Sequence, residues 1–323
     1  MDPILQSIKA AGRILVTSHT DPDGDAVGSL LAMGMALIRL GKQTTLYNES
    51  PIPAVYQFLP CVGRIQRHLE ASTAYDAAVV LDCGDLPRMG EGWRTVSRVP
   101  VIINLDHHIS NTGFGKFSLI DGQACATAEI VFRLIRALGV PLDRDMATCI
   151  YTGILTDTGS FRFSNTNTAA FAISREMTEL GVDPYNVAQH VFGSYSLGRI
   201  KLLNLALNSI EISRNGKLSL MTVTRRMLED TQTQQEDVDG LINYARRIEA
   251  VRVAALIQEQ ANGRATREGR MRFHVSLRSD GTVDVAALAG AFGGGGHHSA
   301  AGFQIEATLT DIKSSLLAWS ERI

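Results

Sequence analysis

Three times in the first 110 residues a short, continuous apolar run ends in acids or histidines. RILVTSH (13–19) leads into HTDPDGD (19–25), DAAVVLDCGD spans 76–85, and VPVIINLDHH spans 99–108. Runs that are apolar throughout, not alternating, read as strands buried on both faces, hence as a parallel sheet covered by helices. QTTLYN (43–48), rich in β-branched residues, reads as a further strand, and residues 26–40, 125–139 and 144–157 carry helical spacing. Gly41 follows the first of these as a helix stop. Ligands of open parallel sheets bind beyond the carboxyl ends of the strands. Three separate stretches are therefore expected to converge on one site.

The chemistry of that site follows from crowding. HTDPDGD packs one histidine and three aspartates into seven positions. A calcium loop would need Gly and Glu where Ala26 and Ala32 stand, counting from Asp21, so that reading fails. A plain strand-to-helix turn, with Asp as cap and Gly as bend, would explain the motif taken alone. Asp82, Asp85, Asp106, His107 and His108 end two more strands, however, and Asp157 closes a helical run. Each has an ordinary explanation singly, as a cap or a satisfied interior histidine. Together they would be strongly destabilising without cations, because unpaired buried charges cost several kcal/mol each. Imidazole and carboxylate donors without thiolate suit Mn²⁺ or a similar divalent ion better than structural zinc. So many anionic groups call for two ions, the standard device for hydrolysing phosphate esters.

From about residue 183 the pattern turns helical, and SLGRIKLLNLALNSIEI (196–212) reads as a connecting helix. Beyond it KLSLMTV (217–223), VRVAALIQEQ (251–260), RMRFHVSLRS (270–279) and AAGFQIE (300–306) predict a smaller α/β unit. The expected division is a catalytic domain at 1–185, a helical linker at 186–213 and a substrate-binding domain at 214–323. At 323 residues, two domains are the prior. The net charge of −2 offers no field to gather long polyanions, and eight arginines between 246 and 278 make the positive charge local. Residues 1–12 lack a signal-peptide pattern, and the most apolar run, at 29–38, is too short to span a bilayer. Four widely spaced cysteines read as free thiols, so a cytoplasmic location is expected.

HTDPDGD, LDCGD, LDHHISN and GILTDTG, in that order, resemble the four motifs of the DHH phosphoesterases, named for the triplet that stands here as Asp106-His107-His108. VSLRS (275–279) and FGGGGHHSAAG (292–302) resemble the family's C-terminal substrate-binding domain, and the whole is most similar to the nano-RNase/pAp phosphatase subfamily. The resemblance implies a two-metal enzyme. His19 and Asp23 would bind one ion, Asp25, His107 and Asp157 the other, and Asp82 both. His108 would face the substrate phosphate, with Asp106 orienting a histidine. Arg278, Gly294, Gly295, Gly296, His297 and His298 would bind substrate. Asp85 has no assigned role, and Asp21 only shapes the turn.

The expected activity is hydrolysis of two- to five-nucleotide RNAs to 5′-monophosphates and removal of the 3′-phosphate of pAp. Both acts break a P–O3′ bond. Linear or cyclic dinucleotides (pApA, pGpG, cyclic di-AMP) are the alternative substrates. An inorganic pyrophosphatase or a non-catalytic nucleotide sensor ranks lower. Mn²⁺ is the expected metal, with Mg²⁺ and Co²⁺ as alternatives, and a homodimer is one assembly the chain could form. A flexible turn is the plainer alternative for the glycine run, and Arg264, Arg267 and Arg270 read as a solvated face beside a hairpin. No aromatic pair stands out as a platform for bases.

Overall fold

In a computed structural model of the chain, the described residues are 1–70, 72–193, 195–260 and 270–323, with the backbone alone for His297. Arg264 and Arg267 lie outside them. The chain forms two compact units, Met1–Ser194 and Tyr195–Ile323.

The first unit contains six parallel strands: β1 (Arg13–Ser18), β2 (Gln43–Tyr47), β3 (Ile65–Gln66), β4 (Ala77–Leu81), β5 (Ile102–Asp106) and β6 (Phe117–Ile120), in the order β3-β2-β1-β4-β5-β6. Its helices are α1 (Asp2–Ala10), α2 (Gly24–Arg39), the single turn α3 (Trp93–Val96), α4 (Thr127–Ala137), α5 (Arg144–Asp157), α6 (Thr168–Glu179) and α7 (Pro184–Phe192). All five residues of β4 are buried, as its unbroken apolar run requires. β3 and β6 escape sequence reading because two and four residues are too short for a period. The chain proceeds outward from β1 through β2 to β3, then returns to β4 on its other side. That reversal between β1 and β4 opens the crevice in which such sheets bind ligands.

Helices α2 and α5 approach at small residues. A Cβ on Gly28 would fall 2.4 Å from the Cys149 carbonyl oxygen, and one on Gly24 would fall 2.5 Å from the Thr156 side chain. Their glycines thus bring the start of α2 against the end of α5.

The second unit holds α8 (Leu197–Asn208), β7 (Glu211–Ile212), β8 (Leu218–Val223), α9 (Arg225–Thr231), α10 (Ile242–Arg246), β9 (Val253–Glu259), β10 (Met271–Ser279), α11 (Val285–Ala291), β11 (Gly295–His297), β12 (Ala300–Ala307) and α12 (Leu309–Ser320). The stretch at 196–212 is therefore a helix followed by an edge strand, not one continuous helix. Its sheet runs β11-β12-β10-β9-β8-β7, antiparallel except for β8 beside β9. One core joins Leu277, Phe303 and Leu316, and another joins Leu202, Met221 and Leu256. No described helix is long and apolar enough to cross a membrane.

Candidate metal centre

Each cluster in the sequence lies where a strand or helix stops. His19 follows β1, Asp82 follows β4, and Asp106 ends β5 with His107 and His108 behind it. Asp23 is the N-cap of α2, accepting from the N–H groups of Asp25 and Ala26 at 3.0 Å each. Asp25 sits in the first turn of α2 and also accepts from Thr127 N–H (2.6 Å) and Ala128 N–H (2.9 Å) at the start of α4. Both carboxylates thus meet the positive ends of helix dipoles. Asp157 is the last residue of α5, where the dipole disfavours an anion. A cation beside it removes that penalty.

Three sets offer ligand atoms that all lie within 4.8 Å of one another: His19–Asp23–Asp82, Asp25–His107–Asp157 and Asp82–His107–His108. Asp82 and His107 each belong to two of them. The Asp82 carboxylate lies 3.5 Å from His19 Nε2, 3.8 Å from His107 Nε2 and 3.5 Å from His108 Nδ1. His107 Nε2 is 3.6 Å from Asp157. These groups, buried or half-buried apart from Asp23, can hold a metal ion.

The electrostatics point the same way. Burial, then the Asp82 charge, push the carboxyls of Asp25 and Asp157 well above the usual range. Burial also opposes ionisation of Asp82, but the His19 contact and the charges of His19, His108 and His107 outweigh it and hold its carboxyl low. For His19 burial disfavours the charged ring, yet Asp82 more than offsets this and raises it to about 8. Without a cation, protons supply part of the positive charge that the cluster demands. His19 Nδ1 lies 2.7 Å from the Thr20 carbonyl oxygen. A donated N–H there leaves Nε2 as the ligand atom.

A pH dependence follows. In metal-free protein, a histidine raised from 6.5 to about 8 contributes stability that is complete below 6.5 and lost as pH rises through about 8. Metal must displace that proton. Calorimetric metal titrations at pH 6.5 and 8.5 should therefore show tighter binding at the higher pH, by up to about tenfold per unit for each proton released. Equal affinity at both would show that His19 carries no proton for the metal to displace.

Several supporting residues carried no sequence signal. Thr127 Oγ1 donates to Asp82 at 3.0 Å across 45 residues of chain, and Asn165 Nδ2 to Asp157 at 3.0 Å. Asn48 Nδ2 donates to the His19 carbonyl at 2.7 Å. Asp106 is 2.7 Å from His108 Nδ1 and takes a bond from Asn111 Nδ2 at 2.6 Å. Asn111 belongs to LDHHISN, and Asn48 ends the strand run QTTLYN. Asp21 adopts a left-handed φ of 52° and accepts from Ser50 Oγ, so it shapes the turn. Asp85 is exposed at the cap of a 3₁₀ turn and makes no side-chain cap bond.

In the second unit, Arg278 on β10 pairs in register with Ala254 and Ala300, and its guanidinium donates to the Leu277 carbonyl at 3.0 Å. Burial lowers its proton affinity. The glycine run divides. A Cβ on Gly294 would lie 2.2 Å from the Gly302 carbonyl oxygen and one on Gly296 2.5 Å from that of Ala300, so both serve close packing on β12. Gly295 faces open space, and His298 is exposed.

The sequence matches the model of the DHH family, N-terminal domain, over residues 13–154 and that of the DHHA1 domain over residues 218–321. It is 34% identical, over 93% of its length and 86% of the relative's, to the bifunctional oligoribonuclease and PAP phosphatase NrnA of Thermus thermophilus. An exopolyphosphatase-related protein from Bacteroides fragilis superposes with a TM-score of 0.90 at 26% identity, covering 98% of this chain and 95% of that one. RecJ from Thermus thermophilus, solved with Mn²⁺, shares the fold at a TM-score of 0.57 and 15% identity, over 99% of this chain and 54% of its own.

Proposed function

The chain belongs to the DHH family of phosphoesterases, and from that premise we propose that it hydrolyses oligoribonucleotides of two to five units and the 3′-phosphate of pAp. The observation that carries the reading is the pair of ligand sets, His19–Asp23–Asp82 and Asp25–His107–Asp157, brought together beneath Asp82 in a relative of an oligoribonuclease and PAP phosphatase.

His19 and Asp23 would hold one divalent ion and Asp25, His107 and Asp157 a second, with Asp82 available to both. An oxygen and nitrogen donor set of this kind suits Mn²⁺. Bound there, such ions would supply Lewis acidity and activate water at neutral pH. The chain's own part is to orient and to balance charge. Asp106 fixes His108 through Nδ1. Burial works against the charged ring, yet the bonds and charges of Asp106 and Asp82 raise it to about 9. In the metal-free protein this favours the charged ring, and His108 would face phosphate oxygens on which negative charge grows. The O3′ side leaves, and a 5′-monophosphate remains. Linear dinucleotides present the same bond to the same groups. Three buried thiols and one exposed, none in a disulfide, fit a reducing cytoplasm.

Assays of pAp, RNA dinucleotides, pApA, a 24-mer RNA, cyclic di-AMP and pyrophosphate with Mn²⁺ and Mg²⁺ test the assignment. Chelation should silence every activity, and the short substrates should turn over faster than the 24-mer, since a net charge of −2 gives little extended footprint. Equal rates on all lengths would favour a processive exonuclease.

Arg278, His298 and the open Gly295 would bind substrate phosphate on the second unit. Arg278→Ala should raise KM for pAp roughly ten- to hundredfold, the loss of a charge-assisted hydrogen bond of about 1.5–3 kcal/mol, with metal content unchanged. Loss of metal in this variant would instead place Arg278 in the framework of the fold.

A further inference from the structure

Directly after the metal-site residue Asp157 the backbone enters a conformation that side chains rarely adopt. Gly159, Ser160 and Phe161 have consecutive φ values of 55°, 60° and 61°. Only the first is a glycine, so the turn is held by its surroundings. Both Arg162 N–H and Phe163 N–H donate to the Thr158 carbonyl, at 2.9 and 3.0 Å, and Arg162 Nε donates to the Gly159 carbonyl at 2.6 Å. Asn165 then returns to Asp157. Residues 158–165 thus form one braced loop, beginning and ending on the Asp157 side chain.

The loop treats its two aromatic rings differently. Phe161 packs against the core and stacks on Phe171 with centroids 5.2 Å apart. Phe163 remains 43% exposed. A Cβ built on Gly159 would meet Phe163 Cζ, Cε2 and Cε1 at 2.4–2.6 Å. The ring therefore lies against the Gly159 backbone, and the residue is left part-exposed. An exposed aromatic ring immobilised beside a cluster of charges gains little as packing. It has the form of the stacking surfaces on which single-stranded nucleic acids lay their bases.

We propose that Phe163 is the platform on which the nucleobase next to the hydrolysed phosphate stacks, and so a specificity-determining residue that favours nucleotides over other phosphate esters. The inference rests on the phosphoesterase reading above, because it needs a nucleotide phosphate at the metal centre. The left-handed turn presents the ring. The two bonds to the Thr158 carbonyl fix its distance from Asp157. Gly159 is the residue that lets the ring lie against the backbone.

Calorimetric titration of the Mn²⁺-loaded protein with adenosine 5′-monophosphate and with ribose 5-phosphate isolates the base, since both ligands carry the same phosphate and sugar. Wild type should prefer the nucleotide by about tenfold or more. Phe163→Leu keeps an apolar cover over Gly159 without a ring. It should bring that preference close to unity while leaving metal stoichiometry and melting temperature unchanged, and Phe163→Trp should restore it. Phe163→Leu retaining the wild-type preference, or a wild type that does not discriminate, overturns the platform. Wild-type hydrolysis of pAp is measured alongside. A protein that hydrolyses pAp without base preference refutes this inference alone, whereas Phe163-dependent base preference without any hydrolysis refutes the phosphoesterase reading alone.

Discussion

Asp82→Asn should fold normally and yet lose turnover on pAp by more than about hundredfold at any substrate concentration. Residues one step removed from a metal ligand already account for about 10–100-fold in affinity or activity. Asp82 lies at the meeting point of two ligand sets and within 4 Å of three imidazoles. Asparagine is the cleaner substitution. Asp82 has a φ of 53°, a conformation that Asn tolerates and Ala does not, and Asn can still accept from Thr127 Oγ1. The charge and one of the two carboxylate oxygens are lost. Metal stoichiometry by elemental analysis and kcat on pAp decide the matter. An Asp82→Asn enzyme with its full complement of metal and near-normal kcat would show that the sites do not share this residue.

The second large effect should come from a residue that offers no ligand atom of its own. A Cβ on Gly153 of α5 would lie 2.7 Å from Ala128 Cβ and 2.9 Å from Asp25 Oδ1. Gly153→Val adds two further methyl groups in this gap. Overpacking of that kind costs about 1–3 kcal/mol. Here the strain also pushes Asp25 away from the Thr127 and Ala128 N–H groups that aim it. Metal affinity should fall about 10–100-fold, as for other partners that orient a ligand, and the melting temperature should fall with it. Gly290→Ala in α11, where nothing lies within 4 Å of the new methyl, should be neutral or slightly stabilising. Wild-type metal affinity in Gly153→Val would mean that the α2–α5 contact does not set the geometry of Asp25.

The chemistry-bearing residues were legible for a local reason. His19, Asp82, Asp106, His107 and His108 each follow an apolar run, and a chain leaving a buried strand places its next polar side chains at the sheet's carboxyl edge. Asp157 announced itself less directly, as an acid at the wrong end of a helix. Phe163 carries no such mark: it sits in GSFRFSN, where nothing in the letters tells a packed ring from a presented one. Phe161 and Phe163 are two residues apart, and only backbone dihedrals and contacts separate their roles. The glycine run serves packing as well as any ligand. Four consecutive glycines suggested a ligand, whereas two of them are required by the approach of β12.

The sequence by itself determined the type of the longer elements in the first unit, the strand-end placement of the candidate ligands and the donor chemistry, because hydrophobic period and side-chain type are properties of a few neighbouring residues. Tertiary structure decided which strand ends become neighbours. Setting β1 directly beside β4 brings His19 to Asp82. The start of α4, 102 residues along the chain from Asp25, then supplies the N–H that aims it. Strand order, helix crossing and the hydrogen bonds of Thr127, Asn48 and Asn165 depend on contacts between residues far apart in the chain. No local periodicity encodes such contacts, because they come into being only when separate apolar faces are buried against one another.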